Sequence, residues 1–296
     1  MTMTIGCIGA GAMGAPMAAN LVAAGFTVRV WNRSADKARA IRGATVTATP
    51  RAAAEGADVV ISMLADDAAV DAVTLGADGV LAGLGAAAVH LSMSTLSSAG
   101  VRRLAAMHAE AGRRFVAAPV FGRPEAAKAK LLWIVAGGPT DVVTSLAPVF
   151  AALGQGSFAF ATPEQAALAK LAGNFLIGAT IESLSEALVL GEKGGIAPEA
   201  LLDLFTSTLF GSPVVKNYGA RIARTEFTPP GFALSLAQKD FRLIRAASAE
   251  HGAPMPVAEL VAQRLDETAR QGRAEYDFAG FASVIREAAG LNERRG

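Results

Sequence analysis

The 296-residue sequence has a single cysteine, Cys7, so no internal disulfide can brace it. That usage fits a reducing compartment. Cys7 lies inside an apolar run and reads as a small buried hydrophobe. Charge is also scarce: 18% of residues are charged, and 27 basic against 26 acidic residues leave a net +1. Such a balance argues against nucleic acid or an anionic membrane surface as the main partner. The basic residues are scattered, apart from short clusters such as Arg113-Arg114 and Arg294-Arg295. No apolar run reaches the roughly 18–20 residues of a membrane span. Residues 1–5 lack the basic start and apolar core of a secretory signal, so a cytoplasmic location is expected. The three histidines, His90, His108 and His251, stand far apart and none has a metal-ligand spacing. Neither a metal centre nor a Ser-His-Asp triad is expected.

What the chain does have is apolar content, at 52%, and enough length for about two domains. Short apolar runs alternate with helical patterns over the first half. Strands are predicted at residues 5–8, 27–31, 58–63, 87–91, 114–117 and 131–136. Helices are predicted at 13–24, 36–41, 66–74, 96–111 and 140–150. That alternation predicts an α/β fold with a Rossmann-type, doubly wound parallel sheet. From Pro163 onward the strand-like runs all but vanish. One long apolar-rich helix is predicted over 164–193, joining the sheet domain to an all-helical C-terminal domain. Further helices are predicted at 198–207, 234–251, 257–271 and near 281–289. The expected domains are residues 1–162, binding the cofactor, and 163–296, serving substrate and dimerisation.

Gly9-Ala10-Gly11-Ala12-Met13-Gly14 matches G-x-G-x-x-G between a predicted strand and a predicted helix. Gly9 permits the tight turn, Gly11 admits a pyrophosphate, and Gly14 lets helix and strand pack closely. The helix N-terminus adds a positive end for the phosphates. The second strand ends at Trp31-Asn32-Arg33-Ser34. An acid there would bind the adenosine ribose of NAD, but none is present. Arg33 offers a fixed cation with a planar donor fork suited to phosphate, and Asn32 and Ser34 can add neutral hydrogen bonds. NADP(H) is therefore the expected cofactor.

Several separated motifs, in order along nearly the whole chain, resemble the β-hydroxyacid dehydrogenases. This family includes 3-hydroxyisobutyrate dehydrogenase and the glyoxylate/succinic semialdehyde reductases. GCIGAGAMGAPMAANLVAAG is similar to the family's opening signature, and VWNRS to its NADPH-using branch. ISMLADDAAV resembles the segment that contacts the cofactor, at Met63 and Leu64. LSMSTLSS is similar to the Ser-Thr motif beside the nicotinamide, implicating Ser94 and Thr95, with Ser94 also near the substrate. KLAGNFLIGATIESLSEAL resembles the catalytic helix. It implies Lys170 as proton donor or oxyanion stabiliser, with Asn174 one turn on bonding the same oxygen or orienting the lysine. FALSLAQKDFRLIRAASAEHGAPMP resembles the C-terminal Lys-Asp motif. By that likeness Lys239 meets cofactor or substrate, and Asp240 orients it. The implied activity is hydride transfer from NADPH to a small aldehyde such as succinic semialdehyde or glyoxylate, yielding a hydroxyacid.

The chain departs from that pattern at the substrate loop. The family commonly has a serine followed by two glycines; here the residues are Phe121, Gly122 and Arg123. Two readings stay open. Arg123 clamps a substrate carboxylate bidentately, or Phe121 makes an apolar pocket for a substrate without one. The second keeps imine reduction as an alternative, although the imine reductases of this architecture usually lack a lysine at the position of Lys170. A non-catalytic cofactor-binding scaffold is the remaining alternative, and Lys170, Asn174 and Lys239 argue against it. The apolar stretch 166–190 carries more apolar surface than a small domain covers, so a homodimer or homotetramer is expected.

Overall fold

The computed structural model describes residues 2–291, and the Arg294-Arg295 cluster lies outside the described residues. They form two compact units that divide between Lys170 and Leu171. The first carries nine strands: β1 (Thr4–Ile8), β2 (Thr27–Trp31), β3 (Thr45–Val46), β4 (Val59–Ser62), β5 (Val89–Ser92), β6 (Arg114–Ala117), β7 (Val120–Phe121), β8 (Leu132–Gly137) and β9 (Gly154–Phe160). Strands β3-β2-β1-β4-β5-β6 lie in that order, all parallel. Val- and Ile-rich runs give this arrangement because helices cover both faces of a parallel sheet; every residue of β4 and β5 is buried. The strand order reverses between β1 and β4. Doubly wound sheets bind ligands at such a switch point, beyond the carboxyl ends of the strands. The fold is therefore the expected Rossmann-type sheet.

Past β6 the chain turns back. β8 runs antiparallel to β6 and β7 along one edge and parallel to β9 along the other. The antiparallel return matters for the site because it fixes β7, whose last residue is Phe121. Neither β7 nor β9 is predicted by hydropathy. β7 has only two residues, and β9 (GQGSFAF) is an edge strand, largely exposed. The helix predicted over 140–150 is in fact two, Thr140–Ser145 and Ala147–Leu153. Pro148 lacks the N–H that a continuous helix would need.

The second unit is helical. It holds the greater part of the long helix Pro163–Lys193, then Pro198–Ser207, Pro213–Arg224, Leu234–His251 and Pro256–Arg270. A 3-10 turn, Phe278–Phe281, leads into a last helix, Ala282–Ala288. Pro213–Arg224 is absent from the sequence prediction. Its core is aromatic: Phe241 and Phe281 are fully buried, with Phe278, Ile244 and Leu265 packed among them. Gly178 on the long helix leaves room for the Phe241 ring, which any Cβ there would strike.

Candidate active site

The glycine loop follows β1 directly. Gly9 has φ 100°, a left-handed backbone that glycine adopts without strain, and its N–H donates to the Trp31 carbonyl at 2.9 Å. Gly14 opens the helix Gly14–Ala23, and a Cβ there would overlap the Gly9 carbonyl. Gly11 differs: a Cβ on it would meet nothing within 4 Å. Its bareness serves no contact within the protein, as expected where a ligand's pyrophosphate must come close. No side chain caps the helix that begins after Met13; Ala15 N–H donates to the Gly11 carbonyl at 3.0 Å and Pro16 has no N–H, so what the helix start offers an anion is chiefly the positive end of its dipole. Asn32 ties this loop to the end of β2. Its Oδ1 accepts from Ala10 N–H and its Nδ2 donates to the Ser34 carbonyl, each at 2.9 Å. Asn32 therefore shapes the loop, and the cation stands next to it. Arg33 lines a cavity of about 550 Å³ with Trp31, Thr47 and Arg39. Arg39 is paired with Asp36 at 2.5 Å. Open space at Gly11, an uncapped helix start and two guanidiniums at the adenosine end fit a dinucleotide.

Met63 and Leu64 follow β4, half-buried beside the glycine loop. Met63 N–H donates to the Ile8 carbonyl at 2.9 Å. Ser94 is 3% exposed, and its hydroxyl accepts from Leu64 N–H at 2.8 Å. The loops after β4 and β5 are thus stitched together through Ser94. Thr95 is half-buried, and the following helix, Ser98–Glu110, is capped instead by Ser97.

The residues expected at the reactive end lie on and after β7 and on the long helix. Phe121 closes β7, paired with Trp133 of β8. Gly122 follows at φ 142°, where a Cβ would also lie 2.6 Å from a Leu132 methyl. Arg123 is half-buried at the start of the short helix Pro124–Lys128. The Phe121 ring packs against a buried cluster that includes Leu96, Val135, Ala166 and Ala167. Lys170, only 8% exposed, extends its ammonium over that ring, 4.1 Å from the centroid.

Within the second unit, Asn174 follows Lys170 by one turn of the same helix. It is buried, and its Nδ2 donates to Asp240 Oδ2 at 2.6 Å. Asp240, 3% exposed, also holds Lys239 Nζ at 2.8 Å through Oδ1. One carboxylate therefore fixes an amide and an ammonium that are distant in sequence.

A family model for the NAD-binding domain of 6-phosphogluconate dehydrogenase matches residues 4–162, and one for the NAD-binding domain of NADP-dependent 3-hydroxyisobutyrate dehydrogenase matches 165–285. An uncharacterised oxidoreductase, YfjR, of Bacillus subtilis (strain 168) is 41% identical, over 96% of this chain and 100% of its own length. The chain belongs to the β-hydroxyacid dehydrogenase family. Glyoxylate/succinic semialdehyde reductase 1 of Arabidopsis thaliana is 30% identical over 96% of this chain and 99% of its own. Among solved structures, 3-hydroxyisobutyrate dehydrogenase of Mycobacterium tuberculosis, with L-serine, superposes with a TM-score of 0.87 at 29% identity. It covers 97% of this chain and 100% of that one. This β-hydroxyacid dehydrogenase-like protein is an oxidoreductase that uses a nicotinamide cofactor.

Two polar groups of this family member escaped the sequence reading. His90 on β5 and His108 on the helix Ser98–Glu110 touch in the buried interior, Nδ1 to Nε2 at 3.0 Å. His90 Nε2 lies 3.0 Å from Ser62 Oγ at the end of β4. His108 Nδ1 lies 2.7 Å from the Leu104 carbonyl, which can only accept. That fixes the protons: His108 donates to Leu104, His90 to His108, and Ser62 to His90, with both rings neutral. Burial pushes both imidazoles below their usual range. The available signal was a histidine inside the apolar strand run VHLS. Burial also pushes the Cys7 thiol up to about 12, which keeps it protonated and unreactive. Among the described residues no group of three His, Cys, Asp or Glu side chains is arranged to hold a metal, and no helix is long and apolar enough to cross a membrane.

Proposed function

We propose that the protein is an NADPH-dependent reductase of small aldehydes, glyoxylate- or succinic semialdehyde-like, with Lys170 as proton donor. The observation that carries this reading is a buried lysine, 8% exposed, whose ammonium lies over the Phe121 ring in the unit that bears the dinucleotide loop. The name of the Arabidopsis relative supports the substrate class. Gly11 and the helix start after Met13 would hold the pyrophosphate, and Arg33 the adenosine 2′-phosphate that distinguishes NADP from NAD. Bound NADPH supplies the hydride. Lys170 Nζ gives a proton to the oxygen that gains negative charge, and the resulting amine is reprotonated from water. Asn174, its Nδ2 directed to Asp240, keeps its remaining N–H and its oxygen for substrate or lysine. Arg123 is the residue available to clamp a substrate carboxylate. The proposal extends to a cytoplasmic homodimer or homotetramer.

The test is cofactor oxidation by purified protein, with NADPH and NADH in parallel, against glyoxylate, succinic semialdehyde, an uncharged aldehyde and a cyclic imine. Turnover of the acid aldehydes with a preference for NADPH is expected. Lys170→Ala should lower turnover by about 10²–10⁴-fold, the usual worth of a positioned acid, while NADP⁺ still binds in calorimetry. Unchanged turnover in that variant would remove Lys170 from the mechanism. Imine reduction is a second reading, favoured by one observation: an apolar ring, Phe121, lies directly beside the Lys170 ammonium. Turnover of the cyclic imine alone would select it.

A further inference from the structure

We infer that Phe121 is a positioning residue for the reaction, acting through Lys170. Its aromatic face holds the lysine's ammonium at the height from which the proton is delivered. The inference rests on the reading of Lys170 as the proton donor. A lysine side chain has four rotatable carbons, and its ammonium has no preferred direction of its own. A proton donor needs one. Phe121 supplies it, because a ring face attracts a cation within about 6 Å of its centroid, and here the separation is 4.1 Å.

The ring is itself held from behind. Its backbone is clamped on β8, with Phe121 opposite Trp133 and Val120 opposite Ile134. Its side chain packs against the buried cluster to which Leu96, Val135, Ala166 and Ala167 belong. Ala166 and Ala167 precede Lys170 on the same helix, so ring and lysine stem are fixed relative to each other by one packed cluster. A serine at this position could not do this. It has no π face, and its hydroxyl would compete for the same protons. The ring is thus a neutral surface that orients the cation without itself taking a proton from it.

The test compares Phe121→Leu, which keeps an apolar side chain but no ring, with Phe121→Tyr, which keeps the face. Two readouts are taken. The first is steady-state kinetics with NADPH and the best aldehyde of the panel. The second is the carbon spectrum of ligand-free protein whose lysines are ¹³C-dimethylated, with Lys170 assigned from a Lys170→Arg control. A methylammonium over a ring is shifted upfield by the ring current. Phe121→Leu should lose that shift and lower kcat by about tenfold, with KM for NADPH unchanged. Phe121→Tyr should retain both. The proposal is overturned if Phe121→Leu keeps the wild-type kcat, or if its Lys170 resonance does not move. A wild type that reduces no aldehyde would overturn the aldehyde-reductase reading itself, and the resonance would still decide the ring contact. Should Phe121→Leu fail to fold, the wild-type shift of Lys170 and its retention in Phe121→Tyr decide the same point.

Discussion

Two glycines of the loop after β1 are bare for different reasons, and substitution separates them. At Gly14 a methyl group would overlap the Gly9 carbonyl, so Gly14→Ala must push helix and loop apart. At Gly11 the same methyl would meet no protein atom within 4 Å. Gly11→Ala should therefore melt at the wild-type temperature while losing NADP⁺ affinity by tenfold or more, roughly one good charge-assisted hydrogen bond. Gly14→Ala should lower the melting temperature, in line with the ~1–3 kcal/mol of an overpacked site. Thermal melts and calorimetric titration of both variants check this. A Gly11→Ala protein with full cofactor affinity would mean that the dinucleotide does not lie against this residue. The glycine spacing was readable in the sequence because it states a backbone requirement. Arg33 drew notice because a cation stands where an acid is common; it lines the cavity beyond β2, and the preference for NADPH that it implies rests on the cofactor comparison. The contact between Phe121 and Lys170 was not, because two residues distant in the chain meet only through the antiparallel return of β8.

At the scale of elements, β4, β5 and the helix Ser98–Glu110 are joined by the Ser62–His90–His108 chain. Ser62 immediately precedes the Met63–Leu64 segment, so the chain braces one wall of the candidate cofactor site. Protonating His108 turns its Nε2 from an acceptor into a donor aimed at His90 Nδ1–H, protonating His90 does the same at the nitrogen that accepts from Ser62, and either event places a charge in a buried space. Both imidazoles titrate below their usual range in the folded protein. The unfolded chain thus binds protons first. Stability from this pair is complete above the unfolded value of about 6.5 and is lost as pH falls below it, toward the depressed folded values. Urea midpoints should hold steady from pH 8 to 7 and drop between pH 6.5 and 5. His108→Gln keeps an acceptor for His90 without a titrating ring, so its midpoint should fall less steeply. Identical slopes for the two proteins would assign the acid sensitivity elsewhere. Strands buried on both faces, such as β4 and β5, were legible as continuous apolar runs. β7 and β9 were not, since a two-residue strand has no period and an exposed edge strand has no hydrophobic run. The histidine pair is legible only in part. A histidine within an apolar strand implies a satisfied partner, but the partner's identity depends on which helix covers that face.

At the scale of the molecule, each unit completes a core of its own. The switch from alternating strands to continuous helical periodicity set the expected boundary at residue 162, and the compact units divide between Lys170 and Leu171, inside the long helix. The second unit buries Phe241, Phe281, Ile244 and Leu265, yet leaves large aliphatic side chains outside. Leu190 is 76% exposed, Leu204 55% and Leu209 93%. Enclosing an exposed leucine is worth about 1.5–3 kcal/mol, so several of them on one unit favour association with a second copy. Size-exclusion chromatography with light scattering at micromolar concentration should give two or four times the 30.1 kDa chain mass. Leu190→Glu is a suitable probe. The side chain lies outside the core, so the charge should leave the monomer's fold intact while it costs several kcal/mol if buried unpaired between copies. A smaller assembly with an unchanged circular dichroism spectrum is the expected result. A wild type of single-chain mass would reduce these leucines to scattered surface, the ordinary state of many apolar side chains, and the expectation of an oligomer would fall with it.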